Sequence, residues 1–579
     1  MKLSSSWGVA LLAAAAMACG DVEKQPPTLV SLALEPAEVT LTVVNDLAVA
    51  QDYKVWATSS DGKVEDVTEY ATLSLRDEQY GAFTGAKLSV TGRGAGPTRV
   101  IAKLETVTGE GDLTVYVKKQ VIDPDVPPTS PGDFDSATED ATLAPTIRYP
   151  ADKILVPPNI GQFDVHWTTS TSTLFEMRMT NDYVDIRRYT KGIQNPDNPQ
   201  PYWAAFAVAE WSPIASTKQQ LKLRVSGMTP QVPGKKGTAT QQVVDVTNEN
   251  TRGGIYYWAT TSPATIMRYD VEKPTVAPSR LFPAGQEPGG AGTCIGCHVL
   301  SKDGSKMAMT LDGGNGRGTA FNVANRTATI AVNPDLRWNF ATFSPDGNKL
   351  LTVYQGIMSI RDTSGGTVRA TLTNTAGKYA THPEISPDGS KLVNVECVGG
   401  YEAQASTCSV VIRPLNLTDH TAGAIQTLVA YADGAEAYYP SFSPDGVWIA
   451  YTRSGGGTYN IGSAETWLVK ADGSGTPIKL SAADKDQTGR TNSWARWVPF
   501  GQTFGPSNEP MFYLTFSSVR PYGVRLPSGG TPQIWMTPVF PGRAQAGQDP
   551  SGPAFRVPFQ DVATGNHIAQ WTQAIVAIE

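Results

Sequence analysis

Five cysteines and five histidines occur in the chain of 579 residues, and three of them fall together as Cys294-Ile295-Gly296-Cys297-His298. A Cys-x-x-Cys-His run can add its two thiols to vinyl groups on one edge of a haem, while the adjacent imidazole turns beneath the iron. The expectation is haem c bound covalently by Cys294 and Cys297, with His298 as the proximal iron ligand. Other chemistries compete for the same residues. The pair could close as a disulfide beside a bystander histidine. A reduced thioredoxin-like pair calls for a βαβ setting, and a zinc site needs four ligands, with no second pair at zinc-like spacing. Cys397 and Cys408 flank a short loop and are expected as a structural disulfide, a contribution of roughly 2–3 kcal/mol on the chain-entropy estimate. No Ser-His-Asp arrangement, nucleophile elbow, P-loop or metal-protease motif is present. The chain is therefore expected not to be an enzyme, a haem-based redox enzyme being a distant alternative.

The haem motif must be positioned by the part of the chain that repeats itself. Phe343-Ser344-Pro345-Asp346-Gly347, Ile385-Ser386-Pro387-Asp388-Gly389 and Phe442-Ser443-Pro444-Asp445-Gly446 are three copies of one pentapeptide. Leu300-Ser301-Lys302-Asp303-Gly304 is a fourth, and Trp497-Val498-Pro499-Phe500-Gly501 a degraded fifth. Apolar alternation follows them, as in Met307/Met309 and Trp448/Ile449/Tyr451, and a Pro-Asp-Gly turn between two such runs makes a hairpin. The spacing matches a propeller blade of four strands. The copies resemble the TolB-type propeller repeat, which implies a β-propeller over residues 251–579.

The repeat also bears on the chain's end. Asn566-His567-Ile568-Ala569-Gln570-Trp571 aligns with Asn492-Ser493-Trp494-Ala495-Arg496-Trp497, so it is the first strand of a further blade. Its outer strands are available in residues 254–259 and 265–271. Pairing the two ends would close a ring of six blades, with seven as the alternative, and would remove exposed sheet edges. Cys297 takes the place of Phe340, His382 and Tyr439 in the other copies. Because first strands converge around the channel, His567 and His382 are the expected distal iron ligands. Met309 is a third, although hairpin pairing sets it beside His298. His166 and His420 carry no site signal.

Upstream of the propeller, residues 28–118 alternate in period two at Leu32/Leu34, Val39/Leu41/Val43, Tyr53/Val55/Ala57 and Leu113/Val115/Val117. Short alternating runs separated by turns such as Asp61-Gly62 imply a β-sandwich. Together with Asp66-Val67-Thr68 and Val100-Ile101-Ala102, the segment is similar to a bacterial group 2 immunoglobulin-like domain, which implies a spacer or adhesive module. Residues 119–143, with Asp-Pro, Pro-Pro and Ser-Pro steps, are expected to be an extended linker. Residues 144–250 form a second sandwich with Trp167, Phe175, Trp203 and Trp211 as core anchors. Its Tyr149-Pro150 opening resembles a fibronectin type III-like domain. The fold class is all-β: two sandwiches followed by a propeller.

Lys2, an apolar stretch over 9–18 and then Cys19 make an export signal too short to span a bilayer. Residues 12–19 resemble the lipobox of bacterial lipoproteins, which implies a signal peptide over 1–19 and lipidation of Cys19. A net charge of −7 without a basic cluster argues against nucleic acid as a partner. Only 17% of residues are charged, while 55 glycines and 42 prolines favour turn-rich β-structure. The expected function is a membrane-anchored haem c propeller of the cell envelope, on the periplasmic face or the cell surface. It would transfer electrons or sense redox state with a redox or envelope protein partner. The alternative is a non-enzymatic propeller that binds or scaffolds, with Cys294 and Cys297 as a disulfide.

Overall fold

A computed structural model describes residues 27–578, apart from 196–197, 262–263, 291–292, 403–404, 433, 458–460 and 485–490. Cys19 and the residues expected to form an export signal lie outside the described residues. Strands dominate, and α-helix is confined to Ser130–Ser136, Val208–Ser216 and Pro541–Gln545 among the described residues. No helix there is long and apolar enough to cross a membrane.

Period-two alternation sets the first sandwich. The apolar positions of the four alternating runs between Leu32 and Val117 are all buried, because alternate side chains of a strand share one face. Leu29–Glu35 pairs antiparallel with Lys54–Ser59, and Glu38–Val44 pairs in parallel with the long strand Val107–Ile122. That long strand does not stop at the expected boundary. Its end pairs in parallel with Val184–Thr190, so one sheet runs from the first sandwich into the second.

Residues 119–143 are not an extended linker. After the strand ends at Ile122, the helix Ser130–Ser136 forms with its proline in the first turn, where the ring costs no intrahelical hydrogen bond. Phe134 is buried 5.7 Å from the Tyr189 ring, and Val126 completes the cluster. Two apolar side chains with a partner on the second sandwich outweigh the extended bias of the prolines. In that sandwich Trp167, Phe175 and Trp211 are buried. Trp203 is only partly buried, and the Arg525 guanidinium lies 4.1 Å over its ring, so it serves the junction with the propeller. A single apolar core continues through both sandwiches to Val498, Met511 and Tyr513.

Beyond residue 253 the strands divide into six sheets of four or five strands. Their first strands are Ile295–Leu300, Phe340–Phe343, Tyr379–Ile385, Glu436–Phe442, Ser493–Trp497 and Asn566–Thr572, which adjoin one another in a closed circuit. The circuit closes between the two ends of this part of the chain. Asn566–Thr572 pairs antiparallel with Gly254–Ala259, Trp571 standing opposite Ile255, and Thr265–Asp270 and Ser279–Arg280 follow outward.

The repeated pentapeptide explains why each sheet starts the same way. Ser301, Ser344, Ser386 and Ser443 each donate from Oγ to the aspartate two residues on, at 2.5–2.6 Å. Each serine Oγ also accepts the backbone N–H five residues on, at 2.9 Å. The turn closes on a glycine with φ between 67° and 77°, a conformation that side chains with a Cβ rarely adopt.

Candidate functional site

The channel through the ring is shaped by an irregularity of the first strands. Register shifts recur at one level in five of the six sheets, at 295/298, 381/384, 438/441, 493/496 and, on the partner strand of the last, 256/258. His382, Tyr439, Trp494 and Ile568 sit there with φ between 45° and 57°. A bulge re-aims the side chain that it carries, and here the side chains meet. Ring centroids are 4.3 Å apart for Phe340 and His382, 4.4 Å for His382 and Tyr439, and 4.3 Å for Tyr439 and Trp494. Ile568 and Cys297 pack against them. One level of the channel is therefore closed by an aromatic plug. The equivalence of Cys297, Phe340, His382 and Tyr439 was visible in the repeat, yet their convergence was not anticipated.

The haem motif enters this level from the end at which the first strands begin. Cys294 is exposed there, Cys297 is partly buried, and the two thiols are not bonded to each other. Burial pushes the Cys297 thiol up to about 12. His298 is buried, and burial lowers its imidazole to about 4 against a smaller opposing effect of the Tyr256 backbone. Neither of its nitrogens has a hydrogen-bond partner of good geometry.

The three distal candidates are differently placed. Met309 stands opposite His298 in the hairpin register and is buried in the core of its own sheet with Ile295 and Leu311. His382 is held between Phe340 and Tyr439, and burial, with the Arg496 charge adding, lowers its imidazole to about 3. His567 lies edge-on to Trp258 at 6.4 Å, lowered to about 4 by burial. His298 and His382 line one small cavity with Cys297 and Trp494, and neither Met309 nor His567 reaches it.

For a haem, the donors fit and the interior space does not. Two unpaired thiols and a neutral imidazole lacking a good partner are the set that covalent attachment requires, and a buried polar atom without a partner calls for one. The cavity beside His298 measures only about 20 Å³, and the plug fills the channel beyond it. Among the described residues, no three His, Cys, Asp or Glu side chains stand close enough to hold a metal ion by themselves.

Cys397 and Cys408 form a disulfide across neighbouring strands, with Cα atoms 4.1 Å apart and both side chains buried. A polar cluster that sequence reasoning missed joins the second sandwich to the propeller. Tyr522 donates to Asp164, and the Val524 N–H donates to His166 Nδ1 at 3.3 Å. Burial, aided by the Arg525 and Arg556 charges, lowers His166 to about 3. His166 lies on Phe163–Thr168, where apolar and polar residues alternate in the sequence, yet the strand is buried on both faces.

No family model and no curated protein matches the chain. Among solved structures it is similar to a putative TolB from Agrobacterium tumefaciens, at 15% identity over 53% of this chain and 88% of that one, with a TM-score of 0.30. TolB from Acinetobacter baumannii gives 12% identity over 61% and 79% of the two chains, with a TM-score of 0.35. Dihydro-haem d1 dehydrogenase NirN in complex with DHE gives 11% identity over 50% and 58%, with a TM-score of 0.30. The likeness is one of fold alone. The strand pairings and the repeated turn make the C-terminal part of this all-β chain a β-propeller.

Proposed function

We propose that the chain is an exported haem c protein of the cell envelope, tethered by lipid on Cys19, that exchanges electrons with or reports redox state to a protein partner. Cys294 and Cys297 carry the haem, and His298 is its proximal ligand. The observation that supports this reading is the state of the motif: two thiols free of each other beside a buried imidazole whose nitrogens lack good partners. When bound, the haem supplies one-electron chemistry tuned by its axial ligand. Cys294 is exposed, so its thiol would be open to a haem vinyl group from outside the channel. Burial keeps the Cys297 thiol protonated until it reacts and keeps the His298 ring neutral at neutral pH, so that one of its nitrogens offers a lone pair. Because Met309 is locked in a sheet core, the distal role falls to His567 or to His382, the latter sharing a small cavity with His298.

A second reading has its own observation. The aromatic plug and the cavity of about 20 Å³ favour a propeller that binds or scaffolds without haem. One experiment separates the two readings. Protein exported from a host with a cytochrome c maturation system should keep haem through denaturing electrophoresis, and C294A/C297A should lose it. Colourless wild-type protein from that host overturns the haem reading. Mass spectrometry of the mature N-terminus should find diacylglyceryl on Cys19, and an unmodified terminus elsewhere removes the tether.

A further inference from the structure

At the opposite end, where the Pro-Asp-Gly turns gather, the channel opens into a cavity of about 180 Å³. Two residues beyond the plug level, each first strand contributes one side chain to it: Val299, Thr342, Glu384, Ser441, Arg496 and Gln570. This layer is polar and asymmetric, since one sheet supplies a guanidinium and another a carboxylate. The carboxylate is already engaged. Glu384 Oε1 accepts from Ser441 Oγ at 3.1 Å and from the Phe442 N–H at 2.9 Å. Its other oxygen stands 3.7 Å from Arg496, beyond hydrogen-bond distance. Arg496 is thus ion-paired with Glu384 without being hydrogen-bonded to it. Among the described residues the one hydrogen bond of its guanidinium runs from Nη1 to the Ala495 carbonyl, at 2.8 Å, although its side chain is only 18% exposed. A guanidinium offers five donors in a planar fork, and among the described residues only Nη1 of Arg496, a lining residue of the cavity, donates a hydrogen bond. The walls above it are apolar, formed by Trp497, Trp571 and the rings of Pro387 and Pro444, while Lys302 adds a positive charge at the rim.

We propose that this mouth binds a small organic monocarboxylate with an aromatic or alicyclic body. The carboxylate forks onto Arg496 at the floor, and the ring lies among the prolines and indoles. A dianion is disfavoured, because Glu384 stands beside the only guanidinium of the layer. The cavity holds one ring with its carboxylate and little more. The inference uses no residue of the haem motif, although Arg496 also lines the small cavity beside His298.

Calorimetric titration of the mature protein with benzoate, benzamide and inorganic phosphate tests it, with tryptophan fluorescence reporting on Trp497 and Trp571. Benzoate should saturate a single site, and benzamide and phosphate should bind at least about tenfold more weakly, the loss expected for one charge-assisted fork. R496Q should lose benzoate binding by a similar factor. E384Q should bind benzoate more tightly than wild type, because it removes a like charge near the ligand while keeping an acceptor for Phe442 N–H. No saturation by benzoate below about 10 mM, equal binding of benzamide, or unchanged binding by R496Q would each overturn the proposal. If R496Q fails to fold, the benzamide comparison and the sign of the E384Q change decide.

Discussion

His382 shows how much a single position can carry in this ring. Its backbone is held at φ 45°, its ring contacts Phe340 and Tyr439, and neither nitrogen has a partner among the described residues. A buried polar group left unsatisfied costs about 1–3 kcal/mol. If His382 serves packing, as its place in the plug implies, H382F keeps the ring stack and removes that cost. The variant should melt at or above the wild-type temperature, and a haem on Cys294 and Cys297 should keep its spectrum. A change from low-spin to high-spin in H382F would instead make His382 the distal ligand in place of His567. The types of Cys294, Cys297, His298 and His382 were legible in the sequence because their spacing and repeat position are one-dimensional facts. Their burial was not. The bulge that swings His382 into the channel has no residue signature, as His, Tyr, Trp and Ile all occupy it.

At the scale of elements, the turn that opens each second strand is the most legible feature and the most informative one. Ser443 is fully buried, donates to Asp445 and accepts the Trp448 N–H at 2.9 Å. S443A leaves that backbone donor and the aspartate without their shared partner. The expected cost is about 1–2 kcal/mol, read as a lower denaturation midpoint with an unchanged slope; an unchanged midpoint would mean that water replaces the hydroxyl at no cost. The alternating strands of the first sandwich were legible for a related reason, since one buried face imposes period two. The segment 119–143 was not. Its prolines and acids suggest an extended chain until Phe134 is seen against Tyr189, and that partner lies more than fifty residues away. Parallel pairing of Lys118 to Ile122 with residues 185–189 is likewise invisible to local pattern, because both strands alternate whether or not they are neighbours.

For the whole molecule, the consequence is a sandwich joined to the propeller through a buried polar junction, not spaced from it. His166 lies at its centre, with the Tyr149 ring at 5.1 Å and the Tyr522 ring at 4.6 Å. The charged groups facing it are Asp164, Arg525 and Arg556; Arg525 stands 3.5 Å from Asp164, and Arg556 stacks 4.8 Å over Tyr522. Because Nδ1 accepts the Val524 N–H, the imidazole is neutral in the folded chain, and burial holds it so down to about pH 3. An unfolded histidine titrates near 6.5. Between about pH 6.5 and about pH 3 the unfolded chain therefore binds a proton that the folded chain refuses, and stability falls as the pH falls. The group contributes no slope above about pH 7, and from there to about pH 5 it should remove about 2 kcal/mol. H166N keeps an acceptor near the Nδ1 position and cannot titrate. It should be less stable than wild type at neutral pH, because the ring packing is lost, yet lose about 2 kcal/mol less on acidification to about pH 5. The other buried histidines act in the same direction in both proteins, so the difference between the two melting series isolates His166. Parallel acid slopes for wild type and H166N would show that this junction is not what acid opens.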